Sequence, residues 1–205
     1  MEIKKIISFE CDENCYLVSE GKNGIIIDPG CDADKILAEC EEIDVQYIFL
    51  THCHYDHVKS VGRIKEEKGA KSVSSVKCSE NMQDRIKNVS YLFEDEESFP
   101  PADIVLSDGK VFGTKIGDVK CIYTPGHTDC CACFIIGEHV FTGDTLFKLN
   151  VGRWDFETGS YEALENSVRN RIYTLPDEFF VHPGHGHDTT VGYEKKYNLY
   201  IKAEK

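Results

Sequence analysis

Four potential metal ligands are crowded into one short stretch of the chain, directly after an apolar segment. They are His52, His54, Asp56 and His57. Imidazole nitrogens and carboxylate oxygens suit zinc and similar first-row divalent ions. Four ligands are too many for one metal that keeps an open coordination position, unless they divide between two metals. If they were ordinary loop residues, four His or Asp side chains would have to gather by chance at one strand end, which is improbable. We therefore predict a metal site at this loop.

Three more potential ligands each follow an apolar strand and lie beside a glycine. His127 lies in Thr-Pro-Gly-His-Thr, Asp144 in Thr-Gly-Asp-Thr and His185 in Pro-Gly-His-Gly. One such residue alone is usually an ordinary loop residue. Together they repeat one design, in which strand ends present ligands at a single edge of the sheets. Cys53 stands between two ligands, but alternation along an extended segment points its side chain away from theirs.

The elements that would carry these residues alternate between blocks of strands and helices. Apolar and alternating patterns predict strands at residues 3–9, 14–19, 25–27, 45–50, 111–112, 118–123, 132–136, 139–142 and 179–182. Helical spacing predicts helices at residues 33–43, 57–68, 161–173 and 190–201. Two sheets that pack face to face with helices outside fit this order. The polar, acidic segment 79–108 is predicted to be a less regular insertion that forms part of the wall or cover of the site.

Length and charge limit the classes of protein that fit. A chain of 205 residues suits a single domain, here residues 1–205. The formal net charge of −13 disfavours nucleic acid and anionic membrane surfaces as partners. A small-molecule substrate is compatible with it. We see no apolar run of ~18 residues and no signal-peptide pattern, so we expect a cytoplasmic protein. The oligomeric state is left open.

The ten cysteines could form disulfides, but free thiols in a reducing cytosol fit a chain of this size better. Cys130, Cys131 and Cys133 could in principle bind a soft metal. They lie in an apolar run that is typical of a buried strand, and cysteine is a common small core residue. We therefore favour a structural role for them.

Taken together, the motifs His-x-His-x-Asp-His, Pro-Gly-His-Thr, Gly-Asp-Thr-Leu-Phe and Pro-Gly-His-Gly resemble those of the metallo-β-lactamase superfamily. The resemblance extends from Asn14 to about Ile201. It is strongest to the small glyoxalase II-like branch of hydroxyacylglutathione hydrolases, where Gly-Arg-x-Asp follows the third motif, as it does here at Gly152 to Asp155. The resemblance implies an α/β fold in four layers, an αββα sandwich of two mixed sheets with helices outside.

Carried over position by position, the resemblance implies a centre with two divalent metal ions. His52, His54 and His127 would hold the first ion, Asp56, His57 and His185 would hold the second, and Asp144 would bridge them. We expect zinc, with iron or manganese as alternatives. Asp56 would also be catalytic, because its carboxylate can accept a hydrogen bond from the bridging water and orient it.

The implied activity is hydrolysis of a small thioester or ester by a hydroxide bound to the two metals. Arg153 is the candidate for binding a substrate carboxylate, with an ion pair to Asp155 or a nearby acid as the equal alternative. Lactamases of this fold usually carry a cysteine or another residue at the Asp144 position, which points away from antibiotic hydrolysis. Two other functions stay open: a mononuclear iron persulfide dioxygenase of the same fold, and a metal-binding module without turnover.

Overall fold

In the computed structural model, which describes residues 1–93 and 98–203, most strands belong to two six-stranded sheets. The strands of the first sheet are β1 (Glu2–Ile7), β2 (Asn14–Glu20), β3 (Asn23–Ile27), β4 (Asp44–Leu50), β5 (Lys71–Ser75) and β6 (Ile104–Leu106). They lie side by side in this order. The pairs from β1 to β3 are antiparallel and those from β3 to β6 are parallel, so the sheet is mixed.

The second half of the chain forms the other sheet and a small ribbon. Its strands are β7 (Val111–Thr114), β8 (Gly117–Tyr123), β9 (Ala132–Ile136), β10 (His139–Gly143), β11 (Leu146–Phe147), β12 (Asn150–Val151), β13 (Phe180–Pro183) and β14 (Thr189–Thr190). The second sheet has the order β14-β13-β10-β9-β8-β7, while β11 and β12 pair only with each other. The β10–β13 pair is parallel and the other pairs are antiparallel, so this sheet is mixed as well.

The two sheets pack face to face through alternate side chains. In β3, Ile25 and Ile27 belong to the cluster between the sheets, whereas Ile26 belongs to the cluster on the outer face. Phe49 of the first sheet meets Phe134 of the second, with ring centroids 5.0 Å apart. Because both faces of such a strand are covered, its sequence is a continuous apolar run rather than an alternating one.

Helices cover the two outer faces. The helical elements are α1 (Ala33–Glu39), α2 (Tyr55–Val58), α3 (Val61–Lys68), α4 (Val76–Asn81), a 3₁₀ turn (Ser90–Leu92), α5 (Tyr161–Ser167), a π-helical turn (Val168–Ile172) and α6 (Val191–Tyr197). Ile36 and Ile64 pack on the first sheet, and Leu164 and Ile172 pack on the second. The predicted four-layered αββα sandwich is therefore confirmed. None of the helices in the described ranges is long and apolar enough to cross a membrane.

The predicted helix 57–68 was wrong as a single element. It is two helices, α2 and α3, which are separated at Lys59 and Ser60. The backbone N–H of Ser60 donates to the carbonyl of Pro29 at 3.1 Å, and its hydroxyl donates to the carbonyl of Gly30. The break anchors the segment that carries the predicted ligands to the loop that follows β3.

Three other predicted helices end early. The helix predicted over 33–43 ends at Glu39. The helix predicted over 161–173 changes after Ser167 into a π-helical turn, closed by a 2.8 Å bond from Tyr173 N–H to the Val168 carbonyl. The helix predicted over 190–201 ends at Tyr197. Asn198 leaves the helical conformation because its side chain binds the chain that follows. Its Oδ1 atom accepts hydrogen bonds from the backbone N–H groups of Tyr200 and Ile201.

The predicted insertion 79–108 is only partly irregular. It contains the end of α4, the 3₁₀ turn and the short strand β6. Residues 94–97 of this segment lie outside the described residues, as do residues 204–205.

Candidate metal centre

All seven predicted ligands lie beyond strand ends, in one region of the sandwich. The loop after β4 and the helix α2 carry four of them, and the loops after β8, β10 and β13 carry one each; the seven are His52, His54, Asp56, His57, His127, Asp144 and His185. Because β10 and β13 are neighbouring parallel strands, Asp144 and His185 leave adjacent strand ends. Sequence alone indicated this common edge, and the structure brings the residues together there.

The first group comprises His52, His54 and His127, all of which are buried. One potential ligand atom from each lies within 4.8 Å of those from the other two. The Nε2 atom of His127 is 2.9 Å from the Nδ1 atom of His54. This is the set that the family resemblance assigns to a first ion.

The second group comprises Asp56, His57 and His185, with ligand atoms that also lie within 4.8 Å of one another. The Oδ2 atom of Asp56 is 3.3 Å from His185 Nε2 and 3.7 Å from His57 Nε2. His57 is fully buried, whereas Asp56 and His185 are partly exposed. This group is therefore partly open to solvent.

Asp144 lies between the two groups. Its Oδ1 atom is 3.4 Å from His57 Nε2, and its Oδ2 atom is 3.6 Å from His127 Nε2 and 3.7 Å from His185 Nε2. The backbone of Gly184 passes so close that a Cβ atom there would lie 2.3 Å from Asp144 Oδ1. Glycine is thus required in the Pro-Gly-His motif for the carboxylate to sit between the groups.

Backbone carbonyls fix the orientation of two of the histidines. His127 donates from Nδ1 to the carbonyl of Arg153 at 2.7 Å, and His185 donates from Nδ1 to the carbonyl of Asp12 at 3.1 Å. A ring that donates from Nδ1 keeps the lone pair of its Nε2 atom free. Metal-binding histidines are typically oriented in this way, because the outer hydrogen bond selects the tautomer that binds.

Asp28 orients two more histidines, and sequence reasoning missed it. Its buried carboxylate accepts from the Thr51 backbone N–H at 2.7 Å, the Thr51 hydroxyl at 2.6 Å and His57 Nδ1 at 3.1 Å. The Thr51 oxygen in turn lies 3.1 Å from His52 Nδ1. Asp28 and His57 also form a third potential ligand group with His52, but both Asp28 oxygens are already used as acceptors. We therefore regard Asp28 as a positioning residue.

Glu13 is a second buried acid that the sequence did not single out. It is fully buried, and neither carboxylate oxygen has a hydrogen-bond partner. Burial raises the pKa of Glu13 well above its usual range. A Cβ atom on Gly30 would lie within about 2.2 Å of both Glu13 Oε2 and the Asp56 carbonyl, which places Glu13 behind the second group.

Burial and charge set the protonation of the ligands. Burial lowers the pKa of His52 well below its usual range and that of His54 to about 3, so both rings are neutral at pH 7. Burial acts in the same direction on His57, but the charges of Asp56 and Asp144 outweigh it and raise that pKa. Burial tends to raise the pKa of Asp144, but His57 outweighs it and holds that pKa well below the usual range.

The donor atoms fit a divalent metal. Among the described residues, the buried atoms without a hydrogen-bond partner include His52 Nε2, His57 Nε2 and Asp144 Oδ1. Buried polar atoms are normally paired, because an unpaired one costs free energy. Neutral imidazole nitrogens and carboxylate oxygens that converge in this way match the ligands of zinc, iron and manganese.

A cavity of about 580 Å³ opens beside these ligands. Apart from the ligands, its wall is mostly apolar, formed by Val89, Leu92, Phe93, Phe147, Val151, Trp154, Phe156 and Tyr200. Val89, Leu92 and Phe93 belong to the predicted insertion, so the prediction that the insertion forms part of the pocket wall is confirmed at these three residues. Sequence analysis missed Phe156, whose ring packs against His54 with centroids 4.6 Å apart.

Arg153 lies at this cavity with its guanidinium already paired. Its Nε and Nη2 atoms donate to the two carboxylate oxygens of Asp155 at 2.7 and 2.8 Å, and both side chains are more than 60% exposed. The same guanidinium lies 4.5 Å from the ring centroid of Phe156. The ion-pair alternative is therefore present, and it places the cation at the rim of the cavity.

All ten cysteines fall in the described ranges and are free, as predicted. Cys53 points away from the ligands on either side of it. Its sulfur lies 3.4 Å from the Lys87 carbonyl and 3.6 Å from the sulfur of Cys130.

Comparison with known proteins adds a family and two curated relatives. A family model described as the metallo-beta-lactamase superfamily matches residues 9–185. Hydroxyacylglutathione hydrolase GloC of Haemophilus influenzae is 31% identical, over 100% of this chain and 99% of that protein. The probable polyketide biosynthesis zinc-dependent hydrolase BaeB of Bacillus velezensis is 30% identical, over 93% of this chain and 82% of that protein.

Two solved structures match along almost their full length. The B3 metallo-beta-lactamase BLEG-1 superposes with a TM-score of 0.91 at 27% identity, covering 98% of this chain and 99% of that chain. TTHA1623 in a di-iron-bound form superposes with a TM-score of 0.84 at 30% identity, covering 97% of this chain and 100% of that chain.

Proposed function

We propose that this chain, which belongs to the metallo-beta-lactamase superfamily, is a hydrolase that uses two divalent metal ions to cleave a small thioester or ester. The observation that carries the proposal is the convergence of five histidines and two aspartates beside one cavity. Four of the five rings have Nδ1 engaged by outer partners, which leaves Nε2 for the centre. Histidine rings that are held at Nδ1 and present Nε2 to the centre suit bound metal ions better than a general acid–base site.

The proposed ligands divide as the family resemblance implies. His52, His54 and His127 would hold one ion, Asp56, His57 and His185 the other, and Asp144 both. When bound, two such ions lower the pKa of a shared water towards ~7 and polarise the substrate carbonyl. Zinc is the preferred identity because a relative is named a zinc-dependent hydrolase, whereas the di-iron form of TTHA1623 supports iron as the alternative.

Asp56 is the proposed catalytic carboxylate. Burial tends to raise its pKa, but His57 and His185 outweigh that tendency and hold the pKa below its usual value. Asp56 is therefore an anion at neutral pH, able to accept a hydrogen bond and aim its donor at the cavity. The side chain is 20% exposed, so it is within reach of a molecule in that cavity.

The apolar wall supports a substrate with an apolar acyl or leaving group. Phe147, Trp154 and Phe156 would exclude water from the scissile bond. A thiolate is a good leaving group and needs little help from a general acid, which suits a cavity in which the ionisable groups other than Arg153 and Tyr200 are proposed ligands. A thioester is for this reason the favoured substrate class.

Arg153 is the proposed contact for a substrate carboxylate, provided that its guanidinium leaves Asp155. An Arg153→Ala variant should raise the KM for thioesters that carry a carboxylate and leave the KM for uncharged ones unchanged. An Asp155→Asn variant should lower the KM for the same carboxylate-bearing thioesters, because it frees the guanidinium. Equal effects of Arg153→Ala on both substrates would show that the residue only packs against Phe156.

The test of the proposed activity is an oxygen-free assay of zinc-loaded protein against lactoylglutathione, uncharged acyl thioesters, simple esters and a chromogenic β-lactam. We expect thioester turnover that is lost in His52→Ala and retained in the control His182→Ala, which removes a buried histidine paired with Asp188 outside the centre. Turnover of the β-lactam alone would favour the activity named for BLEG-1 and reject the thioester. Oxygen consumption with a persulfide by iron-loaded protein, without hydrolysis, would favour the dioxygenase. Metal binding with neither reaction would favour a module without turnover.

Residues 1–205 would act as one domain on a small molecule in the cytoplasm. The acidic net charge supports a partner other than nucleic acid or an anionic membrane.

A further inference from the structure

Two cysteines outside the metal centre lie unusually close together. The sulfur atoms of Cys11 and Cys31 are 2.8 Å apart, nearer than two non-bonded sulfurs normally approach. They are also the two cysteines that are partly exposed, whereas the other eight are buried. Proximity and exposure therefore coincide at this pair and at no other cysteine in the described ranges.

The backbone on both sides holds the two sulfurs in place. Cys11 lies in the turn after β1, which is closed by hydrogen bonds from Ser8 N–H to the Glu13 carbonyl at 2.8 Å and from Asp12 N–H to the Ser8 carbonyl at 3.1 Å. The two loops are joined by a 2.5 Å bond from Phe9 N–H to the carboxylate of Asp32, the residue after Cys31. Since the loops are already attached to each other, a bond between the sulfurs needs only a small approach.

Solvent reaches both residues, since Cys11 and Cys31 are each only partly buried. A surface groove of about 370 Å³ lies against Cys31 and is lined also by Phe9, Lys35 and Arg63. By contrast, the Cys53 and Cys130 sulfurs are 3.6 Å apart but fully buried, so that pair is closed to solvent. The molecule thus contains its own comparison between an accessible and an inaccessible pair.

We propose that Cys11 and Cys31 form a reversible thiol–disulfide couple that exchanges with low-molecular-weight disulfides such as glutathione disulfide. The Cys11 thiol loses its proton to solvent, and its sulfur attacks one sulfur of the small disulfide. A mixed disulfide forms and one small thiol leaves. The Cys31 sulfur, after losing its proton, attacks the Cys11 sulfur and releases the second small thiol. In sum, two protein thiols are oxidised to one disulfide while one small disulfide is reduced to two thiols.

The order of the two steps follows from the environment of each sulfur. Burial raises the pKa of both thiols, so neither is a fast catalytic nucleophile. Cys11 is the less buried of the two thiols, and burial raises its pKa less than it raises that of Cys31. Cys11 is therefore the thiol that ionises and attacks first, and Cys31 resolves the mixed disulfide. The couple is suited to slow equilibration with the thiol pool rather than to turnover.

The test equilibrates the reduced full-length protein in glutathione buffers of graded composition. Remaining thiols are alkylated after an acid quench, and peptides are mapped by mass spectrometry. We expect two thiols to disappear together as the buffer becomes oxidising, with a cross-link between the Cys11 and Cys31 peptides. Cys53 and Cys130 should stay reduced under the same conditions. Full alkylation of Cys11 and Cys31 in the most oxidising buffer, or cross-links among other cysteines, would overturn the proposal.

Two variants test the order of the steps. Cys31→Ser should stop at a mixed disulfide and carry one glutathione on residue 11, because the resolving sulfur is missing. Cys11→Ser should acquire less glutathione on residue 31 in the same time. The opposite pattern would reverse the assigned roles. Cross-link mapping in the unaltered protein decides the proposal even if either variant folds poorly.

Discussion

Replacing Asp28 by asparagine should weaken metal binding without removing any ligand. The Oδ1 atom of Asp28 accepts from the Thr51 backbone N–H, and its Oδ2 atom accepts from the Thr51 hydroxyl and from His57 Nδ1. An asparagine can keep its carbonyl oxygen at the first position, but its amide nitrogen then faces both donors at the second. His57 loses the acceptor that fixes its tautomer, and Thr51 loses the partner that orients its hydroxyl towards His52.

The magnitude follows from the kind of contact that is lost. Outer partners of metal-binding histidines are typically worth 10- to 100-fold in metal affinity. That range corresponds to about 1.4–2.7 kcal/mol. It agrees with the ~1.5–3 kcal/mol expected for one hydrogen bond to a charged group. We therefore expect the metal Kd of Asp28→Asn to rise by about one to two orders of magnitude while the ligand set stays complete.

The assay is competition for zinc against a chromophoric chelator, with metal-free protein stability measured in parallel. The matched control is Asp188→Asn, which removes the carboxylate 3.3 Å from His182 Nδ1, an Asp–His pair outside the centre. It should leave the metal Kd unchanged. An unchanged Kd in Asp28→Asn, or equal losses in both variants, would refute the positioning role of Asp28.

Three further predictions address the metals, the protons and the cysteine couple. Asp144→Ala should lower metal content from two ions to one or none in elemental analysis and abolish turnover, because Asp144 contacts both ligand groups. The melting temperature of metal-free protein in chelator should peak near pH ~6.5, the unfolded histidine value. Because the pKa of His54 is lowered to about 3 in the folded chain, stability falls as the pH drops below the unfolded histidine value. Because the pKa of His57 is raised, stability also falls as the pH rises above that unfolded value. Oxidation of Cys11 and Cys31 closes a loop of about 20 residues, worth ~3 kcal/mol, and should raise the melting temperature by roughly 6–12 °C in calorimetry, an increase absent from Cys31→Ser.

The clustering of the proposed ligands and the layers of the fold were predictable, because both follow from local sequence patterns. Each proposed ligand lies in a loop or short helix that follows an apolar strand, and the strand ends of one sandwich share an edge. Three consecutive isoleucines in β3 indicate a strand covered on both faces. The break at Ser60 was not predictable, because the apolar spacing of the two helices is continuous across it. Its cause is a hydrogen bond to Pro29, far away in sequence.

The residues that hydrogen-bond to the proposed ligands could not be predicted either, because they are distant from those ligands in sequence. Asp28 is 23 residues from Thr51 and 29 from His57, and its position between a strand and Pro-Gly looks like an ordinary turn. One local signal existed: an aspartate at a sharp turn tolerates the positive φ that Asp28 adopts, 49°. The Cys11–Cys31 contact had no such signal, because ten cysteines allow many pairings and only the fold selects one.

The charge balance of the centre explains why one set of residues can be both pH-sensitive and metal-binding. Asp56 and Asp144 are held as anions, and in the described part of the chain their ion-pair partners are histidines rather than lysine or arginine. In metal-free protein, a proton on His57 supplies part of the missing positive charge. A divalent ion would supply it more fully and displace that proton, because imidazole must be neutral to bind a metal. Metal affinity should therefore rise with pH as His57 loses its proton, and uptake of metal should acidify a weakly buffered solution. A permanent cation in place of the histidines would remove both the pH dependence and the site.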